Sequence, residues 1–351
     1  MQKKYSILIG CFLLSVLLVY GLQLISKKIN HSKNAFIRLF PPHLIQLQND
    51  LDIKLNSYYI AGISSKNIYL GNSTAPNYVL VSNFSSSEST LIKLSVPQDK
   101  KMAWSTITTA IDSPSIYMME GIVPSILNGN LKDKILYYQE NNKKVHFDKW
   151  VPLNPLSFVM RTYDTNLHQN LLVKSKINSF DLIPTQKYLL EKQLDGFFCT
   201  DGALIHAQNS NKIFYLYYYR NQFVCLDTNL NMLYKANTID TNSVVKIQIA
   251  KIESAKRITF SNPPFVVNKG GVVWGDKFFV GSALTARNEN LKVSKVSAVI
   301  DVYSVNNGSY LYSFYISDYQ DQKLSDFRIY DSTLVAMYDN HLRKYRLHLL
   351  K

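Results

Sequence analysis

Residues 196–240 read GFFCTDGALIHAQNSNKIFYLYYYRNQFVCLDTNLNMLYKANTID, and this stretch decides the fold. Residues 213–219 form an unbroken apolar and aromatic run, too short and too aromatic for a helix. Arg220-Asn221 makes a tight polar break, residues 223–226 form a second run, and an Asn- and Asp-rich turn leads into Met232-Leu233-Tyr234. Runs of this length between such turns predict an antiparallel meander of about four strands. A strand that is apolar at nearly every position has both faces covered, as a β-propeller blade has between its two neighbours.

The same pattern returns on both sides of that stretch. Ile68-Tyr69-Leu70 is followed by Pro76 and Ile116-Tyr117-Met118 by Pro124, an offset of 48 residues for tripeptide and proline alike. Similar strand starts recur at Phe158-Val159-Met160, Ile213-Phe214-Tyr215, Phe278-Phe279-Val280 and Leu334-Val335-Ala336. Spacings of 42, 48, 55, 56 and 65 residues predict an all-β chain, a propeller of about six four-stranded blades, with seven the alternative count. An irregular β-sandwich is the competing all-β reading. No Trp-Asp or Gly-Gly signature recurs, so a regular WD40 or kelch array is excluded.

The last unit stops after its third strand, at Lys351, and a ring must close or leave an edge unpaired. Residues 53–63 are expected to lie beside residues 342–349, so that N-terminal and C-terminal strands close a domain spanning 53–351. Residues 29–52 read as a tether. Phe36, Ile37, Leu39, Phe40 and Pro41-Pro42 make it too apolar for a free linker, and residues 44–51 are expected to form one or two helical turns.

At the start of the chain Lys3 and Lys4 precede an uncharged run, residues 5–26, closed by Lys27 and Lys28. That run meets the ~20 residues a helix needs to cross a bilayer, so residues 1–28 read as a transmembrane signal anchor. A cleaved secretory signal ending near Val19-Tyr20-Gly21 is the alternative, and the apolar run continuing past that point favours the anchor. Lysines flank the run on both sides, so charge alone does not orient it. A short N-terminal tail before a large β-rich body places the chain in the cytoplasmic membrane, single-pass, with its body in the periplasm.

Composition narrows the partners. Charged residues at 18% against 46% hydrophobic exclude a disordered chain, and Lys+Arg of 39 against Asp+Glu of 25 gives a net charge of +14. Such an excess suits anionic lipid or an acidic envelope polymer; with no Arg-rich tract, nucleic acid is not expected. Cys199 and Cys225 lie in apolar runs, where a small buried hydrophobe is the commoner role, and a disulfide between them stays open.

No catalytic signature, metal-ligand spacing or cofactor fingerprint is present, so no catalytic residue, metal or cofactor is assigned. Polar residues lodged among apolar strands are better clues, because burying them requires a partner. Arg161, Asp201, Arg220 and Asp240 form that set and are the candidate ligand-binding residues. Blade-to-blade ion pairs and turn caps are the competing reading for all four. Tyr215, Tyr217, Tyr218 and Tyr219 either stack on a ligand or fill the space between blades.

YYIAG (58–62) with NIYLGN (67–72), FVMRTYDTNLHQN (158–170), FFCTDG (197–202), YLYYYRNQF (215–223), NTIDT (237–241), NNGSYLYSFYISDY (306–319) and KYRL (344–347) carry a resemblance. In these stretches the chain resembles a family of uncharacterised, membrane-anchored, propeller-like proteins of Bacteroidetes-type bacteria. The resemblance implies fold and location and transfers no catalytic residue. The expected function is a binding or scaffolding module for a protein, peptide or cell-envelope ligand. The alternative is a hydrolase or lyase working on an anionic glycan or peptide in the central channel.

Overall fold

The computed structural model describes residues 2–29, 34–84, 88–100, 102–139, 145–177, 182–183, 189–252 and 257–350. Six four-stranded antiparallel sheets surround one axis, so the chain is an all-β, six-bladed propeller. The innermost strands are Tyr58–Ile63, Thr108–Asp112, Lys149–Asn154, Gly202–Ala207, Asn268–Trp274 and Asp326–Tyr330. Each touches its counterparts in the two adjacent blades. The second strands are Asn67–Asn72, Ser115–Glu120, Ser157–Asp164, Lys212–Tyr217, Lys277–Ser282 and Thr333–Met337. All six recurrent strand starts fall on these second strands, one per blade.

Their sequence follows from two-sided packing. Successive side chains of a strand point to opposite faces, and here each face meets a neighbouring blade. Along Lys212–Tyr217, Ile213, Tyr215 and Tyr217 join the core shared with the third blade, while Phe214 and Leu216 join the core shared with the fifth. Ile116 and Met118 likewise face the first blade, and Tyr117 and Met119 the third. Six such apolar clusters occupy the six blade junctions. Tyr215 and Tyr217 therefore fill space between blades. The uneven repeat has a local cause too, because the connection from the fourth blade to the fifth carries an extra hairpin, Ile249–Ile252 with Arg257–Phe260.

The ring closes one segment earlier than expected. Ile45–Asp52 pairs antiparallel with His341–Leu347, from Ile45 opposite Leu347 to Asp52 opposite His341, and so becomes the fourth strand of the last blade. Residues 53–63 instead turn into the innermost strand of the first blade. Residues 45–52 are strand, which corrects both the helical expectation for 44–51 and the boundary at 53. The alternation Ile45-Gln46-Leu47-Gln48 is a period-two pattern, and an outermost strand needs few buried side chains.

The rest of the tether is fastened as well. Asn34 N donates to the Thr285 carbonyl at 2.9 Å, Arg287 N to the Phe36 carbonyl at 2.9 Å, and Ser313 N to the Leu39 carbonyl at 2.7 Å. Phe36 packs on Val267, Leu284 and Ala286. The fully buried Arg38 guanidinium holds Asp301 through Nε at 2.7 Å and Nη2 at 2.9 Å, and also holds Glu289. Residues 34–40 thus strap the fifth blade.

Gln2–Ile29 is one helix of 28 residues. Among the described residues, no helix is long and apolar enough to cross a membrane. Cys199 and Cys225 are buried free thiols, and burial pushes Cys225 up to about 11.

The propeller has two distinct faces. One carries the tight turns from each innermost strand to its second strand and is called the hairpin face. The other carries the turns from second to third strands, the connections between blades and the attachment of residues 34–38; it is called the tether face.

Candidate functional site in the axial channel

All six innermost strands contribute to a central channel of about 420 Å³. Packing at its wall is close: a side chain on Gly62 would run into the Ile111 carbonyl of the adjacent blade. The channel widens at the hairpin face into a mouth of about 430 Å³, where Lys66, Asn67, Gln208 and Asn209 surround Trp274 and Tyr330. Trp274 and Tyr330 end the innermost strands of adjacent blades, and their rings sit 4.5 Å apart, tilted by 43°.

Deeper polar groups come from the same strands. Asp326 and Arg328 share one face of Asp326–Tyr330 with Tyr330, and Arg328 Nη1 donates to Asp326 at 2.6 Å. The Asp326 side chain is 32% accessible, yet protein surrounds it on the channel walls. Burial therefore raises its pKa above the ordinary 3.8, against the opposing charge of Arg328 and the Phe327 amide. His206 lines the channel with Nε2 buried and without a partner. Burial lowers its pKa below 6.5, opposed by a hydrogen bond with the Pro152 carbonyl and the charge of Asp112.

These two shifts predict opposite slopes of stability with pH. Folded Asp326 holds its proton to higher pH than the unfolded chain does, so its contribution falls as pH rises from 3.8 through the folded pKa. His206 refuses a proton that the unfolded chain takes, so its contribution falls as pH drops below 6.5. Asp326→Asn should raise the melting temperature at neutral pH, with the gain vanishing below 3.8. Thermal melts across pH check this; a lower melting temperature at neutral pH would show that the Arg328 pair outweighs the burial.

The four sequence candidates lie elsewhere, at or near the tether face. Arg161 and Asp201 are brought together: Nη1 of Arg161 donates to Asp201 at 2.7 Å and to the Tyr215 hydroxyl at 2.7 Å. Its Nε donates to Asp148 at 2.8 Å, Nη2 completes the bidentate pair, and Tyr215 donates to the Thr200 carbonyl at 2.6 Å. This network joins the third and fourth blades. Arg220 is buried with its guanidinium 3.6 Å from the Tyr217 ring centroid, and Nη2 donates to the Glu191 carbonyl at 2.8 Å. Its Nε and Nη1 have no hydrogen-bond partner. Asp240 accepts from the Thr238 hydroxyl at 2.7 Å and the Asn242 amide at 2.8 Å, closing the turn after the fourth blade.

Sequence reasoning missed Asp112, Trp274, Asp326, Arg328 and Tyr330. A signal existed. The strand preceding each recurrent start is the innermost one, so stepping back one strand from Leu334 leads to Asp326-Phe327-Arg328-Ile329-Tyr330, whose alternate residues are polar. Among the described residues, no group of three or more His, Cys, Asp or Glu is gathered as a metal would require.

The fold and channel define a six-bladed propeller with a polar axial cavity. An exported-protein candidate from Bacteroides fragilis aligns over 91% of this chain and 99% of its own, at 12% identity and a TM-score of 0.52. A member of the DUF4221 family from Bacteroides vulgatus aligns over 88% and 99%, at 8% identity and a TM-score of 0.50. At such identities the likeness is one of fold. No family model matches the chain, and no curated protein matches it.

Proposed function

We propose that the protein is a membrane-tethered binding module that takes a peptide or a cell-envelope glycan at the hairpin-face mouth of the channel. The Trp274–Tyr330 pair beside a ring of amides and Lys66 carries this reading. Aromatic rings offer an apolar platform for a sugar or side-chain face, and the surrounding amides and charges fix orientation. The segment assigned to the membrane is the uncharged run 5–26 between flanking lysines, which has the ~20-residue length of a span although its helix falls short of a span in apolarity. The body stands in the periplasm. At the opposite opening, Arg161, Asp201, Arg220 and Asp240 join blades and close turns, away from this ligand mouth.

A second reading, an enzyme acting in the channel, is favoured by one observation: a raised carboxyl at Asp326 and a lowered imidazole at His206 in the same cavity. Calorimetric titration of the full-length protein in detergent with peptide and oligosaccharide panels tests both. Trp274→Ala should weaken binding about tenfold or more, the stacked ring being worth about 1.5–3 kcal/mol. Affinity indifferent to Trp274→Ala and Arg328→Ala would move the site off the channel. Ligand conversion abolished by Asp326→Asn would favour the enzyme.

A further inference from the structure

We propose that the tether face lies against the anionic surface of the bilayer that holds the N-terminal helix, so the propeller stands flat on the membrane with its ligand mouth turned away. This rests on the membrane-tether reading above.

The first observation is an asymmetry of apolar surface. On the tether face Ile122, Leu194, Phe197, Val244, Ile258 and Val296 are exposed, contributed by connections around four of the six blades. Among the described residues, the hairpin face exposes fewer: Leu156 in a turn, with Ile135, Leu233 and Leu350 at strand ends around its rim. Ile258 belongs to the extra hairpin of the blade 4–5 connection, whose Phe260 ring packs on Phe198 and Tyr219 of the same face. Exposed Lys192, Lys246, Lys251 and Lys292 stand among these groups. Apolar side chains interleaved with lysines suit an interface of acyl chains and anionic headgroups.

The second observation selects lipid over protein as the occupant. The helix is described to Ile29, and Asn34 is already hydrogen-bonded to Thr285 on the tether face. Five peptide steps span at most about 17 Å. A folded protein domain about 30 Å across does not fit between this face and a bilayer so close. The short connection brings the face to the membrane, and its exposed apolar groups then have a partner.

The test uses the full-length chain in vesicles of equal parts phosphatidylcholine and phosphatidylglycerol with brominated acyl chains. Tryptophan is introduced by Ile258→Trp and Val296→Trp, with Leu156→Trp on the hairpin face as control. Loss of the added emission at 258 and 296 but not at 156 is the expected result. The combined Lys246→Glu, Lys251→Glu and Lys292→Glu variant should reduce that loss. Protein that floats with the vesicles but keeps full emission at all three positions overturns the orientation and leaves the tether standing. Protein that fails to float overturns both.

Discussion

Removing residues 342–351 is expected to abolish the folded ring rather than trim its end. The deletion takes away the third strand of the last blade, and with it the hydrogen-bonding partner of Ile45–Asp52. It also removes Leu342, Tyr345 and Leu347, all buried at junctions with neighbouring blades. Three buried side chains at about 1.5–3 kcal/mol each amount to roughly 5–9 kcal/mol. That is comparable to the whole net stability of a domain, about 5–15 kcal/mol. Two unpaired edges would then face each other across a gap in the ring. Circular dichroism melts and native-state hydrogen exchange measure the outcome. A truncated protein that keeps a cooperative transition at the same temperature would show that the last blade is peripheral.

The fold was legible in the sequence because blade packing leaves a periodic trace. A second strand sandwiched between two blades is apolar at nearly every central position, and six such runs stand out, from Ile68 to Leu334. The closing strand was misplaced for the converse reason. Ile45–Asp52 is an outermost strand with no fully buried residue, so IQLQNDLD is a weak signal beside the dense runs that follow. The channel was hidden by the same bias. Innermost strands mix apolar and polar residues and score poorly as strands, so attention went to polar residues next to the strongest ones. Arg161 and Arg220 flank those strong strands and serve to join or brace blades. Asp326 and Arg328 sit one strand earlier, where side chains reach open space. Contacts such as Arg38 with Asp301, 263 positions apart, leave no local pattern at all.

Arg38→Met is expected to cost about 3–5 kcal/mol, because it strips the countercharge from two buried carboxylates. Five donations leave this guanidinium: two to Asp301, one to Glu289, one to the Leu284 carbonyl at 3.0 Å and one to Ser282 Oγ at 2.8 Å. Burial works to lower its pKa, but Asp301 and Glu289 hold it above the ordinary guanidinium value, so the charge is permanent. Arg38→Lys should recover little, since a single ammonium cannot reproduce a planar fork shared between two carboxylates. Adding Asp301→Asn and Glu289→Gln to Arg38→Met should recover a larger part, because the uncompensated charges then disappear. That ordering separates an electrostatic clamp from simple packing, which would rank Met and Lys alike. Denaturant midpoints supply the ranking. A midpoint unmoved by Arg38→Met would mean that residues 34–40 merely overlie the fifth blade. In that event the proposed seat of the tether face on a membrane would lose the short connection that supports it.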